Sequence, residues 1–214
     1  MTNASTIRCL VTAGPTREWL DPVRFLSNPS TGKMGYAIAQ MACEYGLEVD
    51  LISGPVALAA PAGANRIFVE TAEEMRTACL ERFYESDLVV MAAAVCDHRP
   101  SHRAERKLKK RETGTTLQME VTPDILAELG NHKAKGQTLV GFAAETSDFE
   151  ENGKFKLKEK NLDWIVVNEV GVAGRGFASD QNVVTLLGKD GTTIRMGPDS
   201  KLQVANLILE RVLK

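Results

Sequence analysis

The sequence has no long hydrophobic run, no paired-cysteine motif and no surplus of either charge. Its longest apolar stretches, such as Leu88 to Val95, fall far short of the roughly 20 residues that span a bilayer, so no membrane association is expected. The start, MTNASTIRCLVTAG, lacks the basic region and apolar core of an export signal and runs directly into a strand pattern. A cytoplasmic protein is the expectation. Cys9, Cys43, Cys79 and Cys96 are scattered, with no CxxC pair and no histidine at zinc-ligand spacing, and read as reduced thiols. With 26 basic and 28 acidic residues, net charge −2, there is no basic field to neutralise the phosphates of a nucleic acid. The two complete glycine signatures for phosphate are missing as well. A Walker A loop would need Gly and Ser or Thr where Ser27 and Met34 stand, and Ser30 replaces the first Gly of GxGxxG.

What is present suits one domain over residues 1–214: 43% hydrophobic and 25% charged residues, enough to bury a full core. Short apolar runs alternate with helical patterns. Strands are expected at Ile7 to Ala13, Glu48 to Ile52, Arg66 to Val69 and Asp87 to Ala92, with helices at Lys33 to Tyr45 and Ala72 to Phe83. The second half continues with Leu117 to Val121, a helix opening at Pro123, a strand Thr138 to Ala143, a charged helix Asn152 to Lys160 and a strand Trp164 to Asn168. A hairpin follows around Lys189-Asp190-Gly191, where Asp-Gly supplies positive φ angles, and a last helix runs from Lys201. The rhythm predicts an α/β fold, a Rossmann-like open, mostly parallel sheet with helices on both faces and a C-terminal hairpin.

Two long connections break this economy, Gly14 to Thr31 and Val95 to Thr116, and both leave the carboxyl ends of strands, where open α/β sheets bind ligands. The first contains SNPSTGKMG. A helix start of this kind offers free N–H groups and a positive dipole end to an anion, so Gly14, Ser30, Thr31 and Gly32 are candidate phosphate-binding residues; tight helix–sheet packing explains the same glycines. Asp50 lies near the distance of a ribose carboxylate in a dinucleotide fold, but inside the strand rather than at its end. The second loop carries RAERKLKKR with six basic residues and no interleaved aromatics, which fits a solvated surface or a triphosphate lid better than a base-stacking surface. His98 and His102 flank Pro100, which disfavours the helix that would align them on a metal. Asp97 is placed to accept from a ribose hydroxyl or a base amino group, or to cap. GFAAET, Gly141 to Thr146, permits close approach of a flat ring or of a second backbone, and Lys156 and Lys160 share one helix face.

Taken together and in order, VTAGPTREWLDPVRFLSNPSTGKMGYAIA, SGPV, AAAVCDHRP, KLKK, TPDIL, GFAAET, KNLD and GFASDQN resemble phosphopantothenoylcysteine synthetases, especially the synthetase half of the bacterial bifunctional coenzyme A protein. The resemblance extends from about Ile7 to Leu213. It implies a ligase that uses CTP, with Mg2+, to convert the carboxylate of 4'-phosphopantothenate to an acyl-cytidylate, releasing pyrophosphate, before the amine of cysteine displaces CMP. An ATP-using member of the family is the near alternative, and an NAD(P)-dependent reductase the distant one. By motif, Asn28 and Lys107 are the implied catalytic residues, Asn28 through a hydrogen bond to the acyl carbonyl and Lys107 on the triphosphate. Met91, Ala92, Ala93, Asp97, Pro123, Asp124, Ile125, Leu126, Phe142, Lys156 and Lys160 are the implied nucleotide contacts; no metal ligand is assigned. The resemblance also implies a homodimer and no FMN. Pro29, Cys96 and His98 depart from the residues common in the family at those places.

Overall fold

The computed structural model describes residues 6–110, 116–169 and 181–214. In chain order its elements are β1 (Arg8–Ala13), β2 (Arg17–Trp19), β3 (Phe25–Ser27), α1 (Lys33–Glu44), β4 (Glu48–Ser53), β5 (Ala64–Phe68), α2 (Ala72–Phe83), β6 (Leu88–Met91) and β7 (His98–Pro100). There follow β8 (Met119–Val121), α3 (Ile125–His132), β9 (Thr138–Glu145), α4 (Phe149–Glu159), β10 (Trp164–Glu169), β11 (Gln181–Gly188), β12 (Thr193–Ser200) and α5 (Lys201–Val212).

A strand covered on both faces must be apolar along its whole length, and β1 and β6 are: RCLVTA and LVVM are buried almost throughout. They form the centre of an eight-stranded sheet ordered β12-β11-β10-β9-β6-β1-β4-β5. The first six strands in chain order are parallel, and β11 and β12 add antiparallel at one edge. Successive side chains point to opposite faces. Val11 therefore lies in one buried cluster with Ile38 and Ala39 of α1 and Val204 and Ile208 of α5 on one face. Leu10 lies with Met75 and Cys79 of α2 and Leu129 of α3 in a second cluster on the other, against which Leu157 of α4 also packs. From β1 the chain winds outward through β4 to β5, then returns to the other side of β1 as β6 and winds outward again. This reversal opens a crevice above the carboxyl ends of β1 and β6, the switch point at which such sheets take ligands.

Helix starts are written locally. Thr71 with Glu74 and Ser200 with Gln203 form reciprocal capping boxes on α2 and α5. Glycine opens α1 instead: Gly32 has φ +75° and no side chain caps that helix. The two long connections contain short strands that the sequence pattern does not mark. β2 and β3 make a hairpin within 14–31, and β7, containing His98, pairs antiparallel with β8, which falls within the strand expected at Leu117 to Val121. Three-residue strands give no periodicity to detect. The hairpin after β11 turns with positive φ at Gly191 alone, not at Asp190, because it spans four residues and Thr192 N–H closes on the Asp190 carboxylate. The Gly176 to Asp180 part of GFASDQN and Arg111 lie outside the described residues. Among the described residues, no helix is long and apolar enough to cross a membrane, and all four cysteines are free thiols.

Candidate active site

A cleft of about 560 Å³ opens at the switch point, and three chain segments supply much of its wall. The first is the approach to α1, with Ser30, Thr31 and Gly32. It lies hard against β1 because residue 35 is glycine: a Cβ there would stand 2.6 Å from Ala13 Cβ and 2.8 Å from the Thr12 carbonyl. The second is the end of β6 and the chain beyond it, Met91, Ala92, Ala93 and Asp97. Thr12 Oγ1 accepts from Ala93 N–H at 3.1 Å and Thr16 Oγ1 from Cys96 N–H at 2.9 Å, which ties this segment to β1 and the loop beyond it. The third is the start of α3 with the facing side of α4. Asp124 caps α3 through Ala127 N–H at 3.0 Å and pairs with Lys160 at 2.8 Å. Lys156 pairs with Glu145 at 2.6 Å.

Asn28 joins the first two walls: its amide nitrogen donates to the carbonyls of Val95 at 3.0 Å and Ala94 at 3.3 Å. A reacting group would compete for those donors or meet the amide oxygen. Burial pushes the Cys96 thiol above its ordinary range, so this cleft cysteine stays protonated near neutral pH and is a poor nucleophile. The chemistry on offer is oriented backbone and amide groups, paired lysines and a helix N-terminus: binding and charge neutralisation rather than covalent catalysis.

The sequence pattern of the DNA/pantothenate metabolism flavoprotein C-terminal domain matches residues 4–214. The chain belongs to this family. It is 50% identical over 204 residues to the coenzyme A biosynthesis bifunctional protein CoaBC of Bacillus subtilis (strain 168), covering 95% of this chain and 50% of that protein. The chain thus spans about half the length of the curated relatives it matches. Among solved structures, the C-terminal domain of a CoaBC protein superposes with TM-score 0.82 at 42% identity, covering 96% of this chain and 93% of that one. A Cab2 mutant in complex with phosphopantothenate-cysteine superposes at 0.78 with 17% identity, covering 97% and 85%, which shows a shared fold.

For this member of the DNA/pantothenate metabolism flavoprotein C-terminal domain family, most residues singled out from sequence converge. Asn28, Ser30, Thr31, Gly32, Met91, Ala92, Ala93, Asp97, Pro123, Asp124, Ile125, Leu126, Phe142, Lys156 and Lys160 all line the cleft. Gly14 and Lys107 do not. Gly14 is a support: with φ +76° it carries the turn behind Gly32, and a side chain would meet the Gly54 carbonyl at 3.0 Å. Lys107 is exposed on a loop fastened elsewhere. Buried Asp21 accepts from Leu108 N–H at 3.2 Å, and Arg24 donates to the Leu108 carbonyl at 3.1 Å. The Arg24 guanidinium holds the Asp21 carboxyl well below the usual carboxylate range. Gly141 is explained by packing, since a Cβ would lie 2.8 Å from Leu126 and Leu162 side chains. Asp50 is absent from the cleft lining and instead accepts from Asn65 at 2.6 Å. Among the described residues, no group of three or more His, Cys, Asp or Glu could hold a metal ion.

Sequence reasoning missed Thr12, Asn168, Asn182 and Lys201, which also line the cleft. Asn168, near the carboxyl end of β10, was within reach of the strand-end rule. Asn182, on β11, closes the GFASDQN motif, to which no site role was given, and Lys201 is the first residue of α5, with no local motif to mark it.

Proposed function

We propose that this chain is a phosphopantothenoylcysteine synthetase that activates 4'-phosphopantothenate with CTP. The observation that carries the reading is the convergence, in one cleft, of the β6 end, the α3 start and α4, which the resemblance assigns to the nucleotide, with the start of α1, which suits a phosphate. The curated relatives named CoaBC act in coenzyme A biosynthesis, and a protein of the same fold holds phosphopantothenate-cysteine, the product such a ligase would form. The base and ribose lie along Met91 to Ala93, Asp97 and Pro123 to Leu126, with Phe142 beside them. Lys156 and Lys160 neutralise phosphate charge, and the phosphates extend toward Ser30 to Gly32.

In the first half-reaction a carboxylate oxygen of phosphopantothenate attacks the α-phosphorus of CTP, and the bond to the bridging oxygen breaks to release pyrophosphate. In the second, the cysteine amine attacks the acyl carbon, loses a proton, and CMP leaves with the electron pair. Neither step needs a protein nucleophile, in keeping with a protonated Cys96 and with catalysis by positioning. Mg2+ comes with the nucleotide. Such an ion typically uses one or two protein carboxylates beside phosphate oxygens, and Asp97 and Asp124 are the two carboxylates of the lining.

A cytoplasmic homodimer completes the proposal. Met119 and Val121 of β8 are 37% and 73% exposed, an apolar strand face that a second copy would cover. The reductase alternative has less support: a β2–β3 hairpin separates β1 from α1 where a dinucleotide fold has a tight glycine turn, and Asp50 is committed to Asn65. The deciding experiment measures pyrophosphate release with CTP, ATP, GTP and UTP in parallel. Release that requires both phosphopantothenate and nucleotide, greatest with CTP, is expected. Equal rates with all four would overturn CTP selectivity, and release independent of phosphopantothenate would overturn the ligase.

A further inference from the structure

The chain beyond β6 is held by a residue that does not itself line the cleft. β1 and β6 run in parallel register as far as Thr12 and Met91, and the pairing resumes at Pro15 and Ala94. There Ala94 N–H donates to the Gly14 carbonyl at 2.9 Å and Thr16 N–H to the Ala94 carbonyl at 3.2 Å. The next bond of a parallel ladder would run from Cys96 N–H to the Thr16 carbonyl. It runs to Thr16 Oγ1 instead, at 2.9 Å. The Thr16 carbonyl accepts from Ser27 Oγ at 2.8 Å, and Cys96 Sγ lies 3.6 Å from it. One fully buried threonine thus fastens both the 94–96 stretch and the residue before Asn28. The Asn28 amide rests on that same stretch, through the Val95 and Ala94 carbonyls. Asn28, Ala94, Val95 and Cys96 line the cleft and Thr16 does not, so its hydroxyl can influence a ligand only through these neighbours.

We propose that Thr16 is a positioning residue for the second half-reaction: its hydroxyl holds Cys96 N–H so that the Val95 and Ala94 carbonyls seat the Asn28 amide where it meets the acyl carbonyl. The inference rests on the ligase reading above for the identity of that reaction. Valine has nearly the shape of threonine and lacks the acceptor. In Thr16→Val the Cys96 N–H, in a buried residue, must find a new partner or go unpaired. The Thr16 carbonyl is the acceptor that ladder geometry offers, and reaching it draws the 94–96 stretch, and Asn28 with it, out of place. A misplacement of about 1 Å can cost on the order of 100-fold in rate. A hydroxyl that served stability alone would slow both half-reactions alike, in proportion to the folded fraction.

Rapid-quench measurements on the 214-residue protein follow formation of the acyl-cytidylate from phosphopantothenate and CTP, and then its consumption when cysteine is added. In Thr16→Val consumption is expected to slow by roughly 10- to 100-fold more than formation, so that the intermediate accumulates. Thr16→Ser keeps the hydroxyl and loses a buried methyl; it should lower Tm as Thr16→Val does yet keep the wild-type balance between the two steps. In an Asn28→Ala background Thr16→Val should add little to the slowing of consumption, because the two residues act through one another. If Thr16→Val does not fold, Thr16→Cys, whose sulfur is a weak acceptor, carries the same expectation. Equal slowing of both steps, the same imbalance in Thr16→Ser, or full additivity with Asn28→Ala overturns the inference and leaves the ligase reading standing. A wild-type protein that forms no acyl-cytidylate fails the ligase reading itself, and the inference falls with it.

Discussion

Gly35→Ala tests whether the phosphate end of the cleft depends on how closely α1 approaches β1. The added Cβ would lie 2.6 Å from Ala13 Cβ and 2.8 Å from the Thr12 carbonyl, whereas carbon atoms rest at about 3.5 Å or more. Relief requires a separation of about 0.9 Å. β1 cannot supply it, being bonded to β4 on one side and β6 on the other, so α1 must lift and carry Thr31 to Met34 with it. Overpacking of this kind costs about 1–3 kcal/mol, offset by about 1 kcal/mol of helix propensity gained over glycine. At about 2–4 °C per kcal/mol for a chain of this size, Tm should fall by no more than about 8 °C. Displacing a binding group by about 1 Å can cost on the order of 100-fold in rate, so kcat/KM for pyrophosphate release should fall far more than the folded fraction does. Gly188→Ala is the control. Its Cβ would crowd Asp190 Oδ1 at 2.6 Å and Trp164 Cζ3 at 2.7 Å, at the opposite end of the sheet, where β10 begins. It should lower Tm and leave kcat/KM nearly unchanged. A Gly35→Ala protein with wild-type kcat/KM would refute the reasoning, and equal kinetic losses in both variants would show that crowding acts through stability alone.

Asn28→Ala should slow the second half-reaction more than the first, by on the order of 100-fold for a lost donor, so that quenched reactions accumulate acyl-nucleotide; Asn28→Asp should be worse, since it sets carboxylate oxygens against the Val95 and Ala94 carbonyls. Unimpaired turnover in either variant would remove Asn28 from the chemistry. Lys107→Gln should weaken CTP binding roughly 10-fold at unchanged Tm, because the side chain is exposed. Since Lys107 lies outside the cleft lining, such a loss requires the loop to swing inward, and wild-type affinity by calorimetry would exclude it from the site. For Asp163, burial works to raise the carboxyl pKa, but hydrogen bonds from Lys189, Leu139 N–H and Lys133 outweigh it and hold the group below its ordinary value. A depressed folded-state value means that stabilisation is present at neutral pH and lost as pH falls through it. Urea unfolding of Asp163→Asn should therefore show a deficit of about 3 kcal/mol at pH 7 that narrows below about pH 4; a deficit constant across that range would argue against charge as its cause.

The sheet, most helices and the strand-end location of the cleft were legible in the order of residues along the chain. β1, β6 and the capping boxes of α2 and α5 are local signals, because doubly covered strands read as apolar runs and caps recur at fixed offsets. Residues in contiguous motifs, from Ser30 to Gly32, Met91 to Ala93 and Pro123 to Leu126, could be assigned for the same reason. Whatever depends on contacts between distant segments came with the folded chain. It paired β7 with β8, set Gly14 behind Gly32, and fastened the basic loop to Asp21 and Arg24, leaving Lys107 outside the cleft lining. It also brought Lys201 to Asn182 and the first turn of α1. A lysine at a helix start has no periodicity that distinguishes it from a solvated one. Its burial follows from the packing of α5 beside α1 on one face of the sheet, and a chain read residue by residue does not contain that distance.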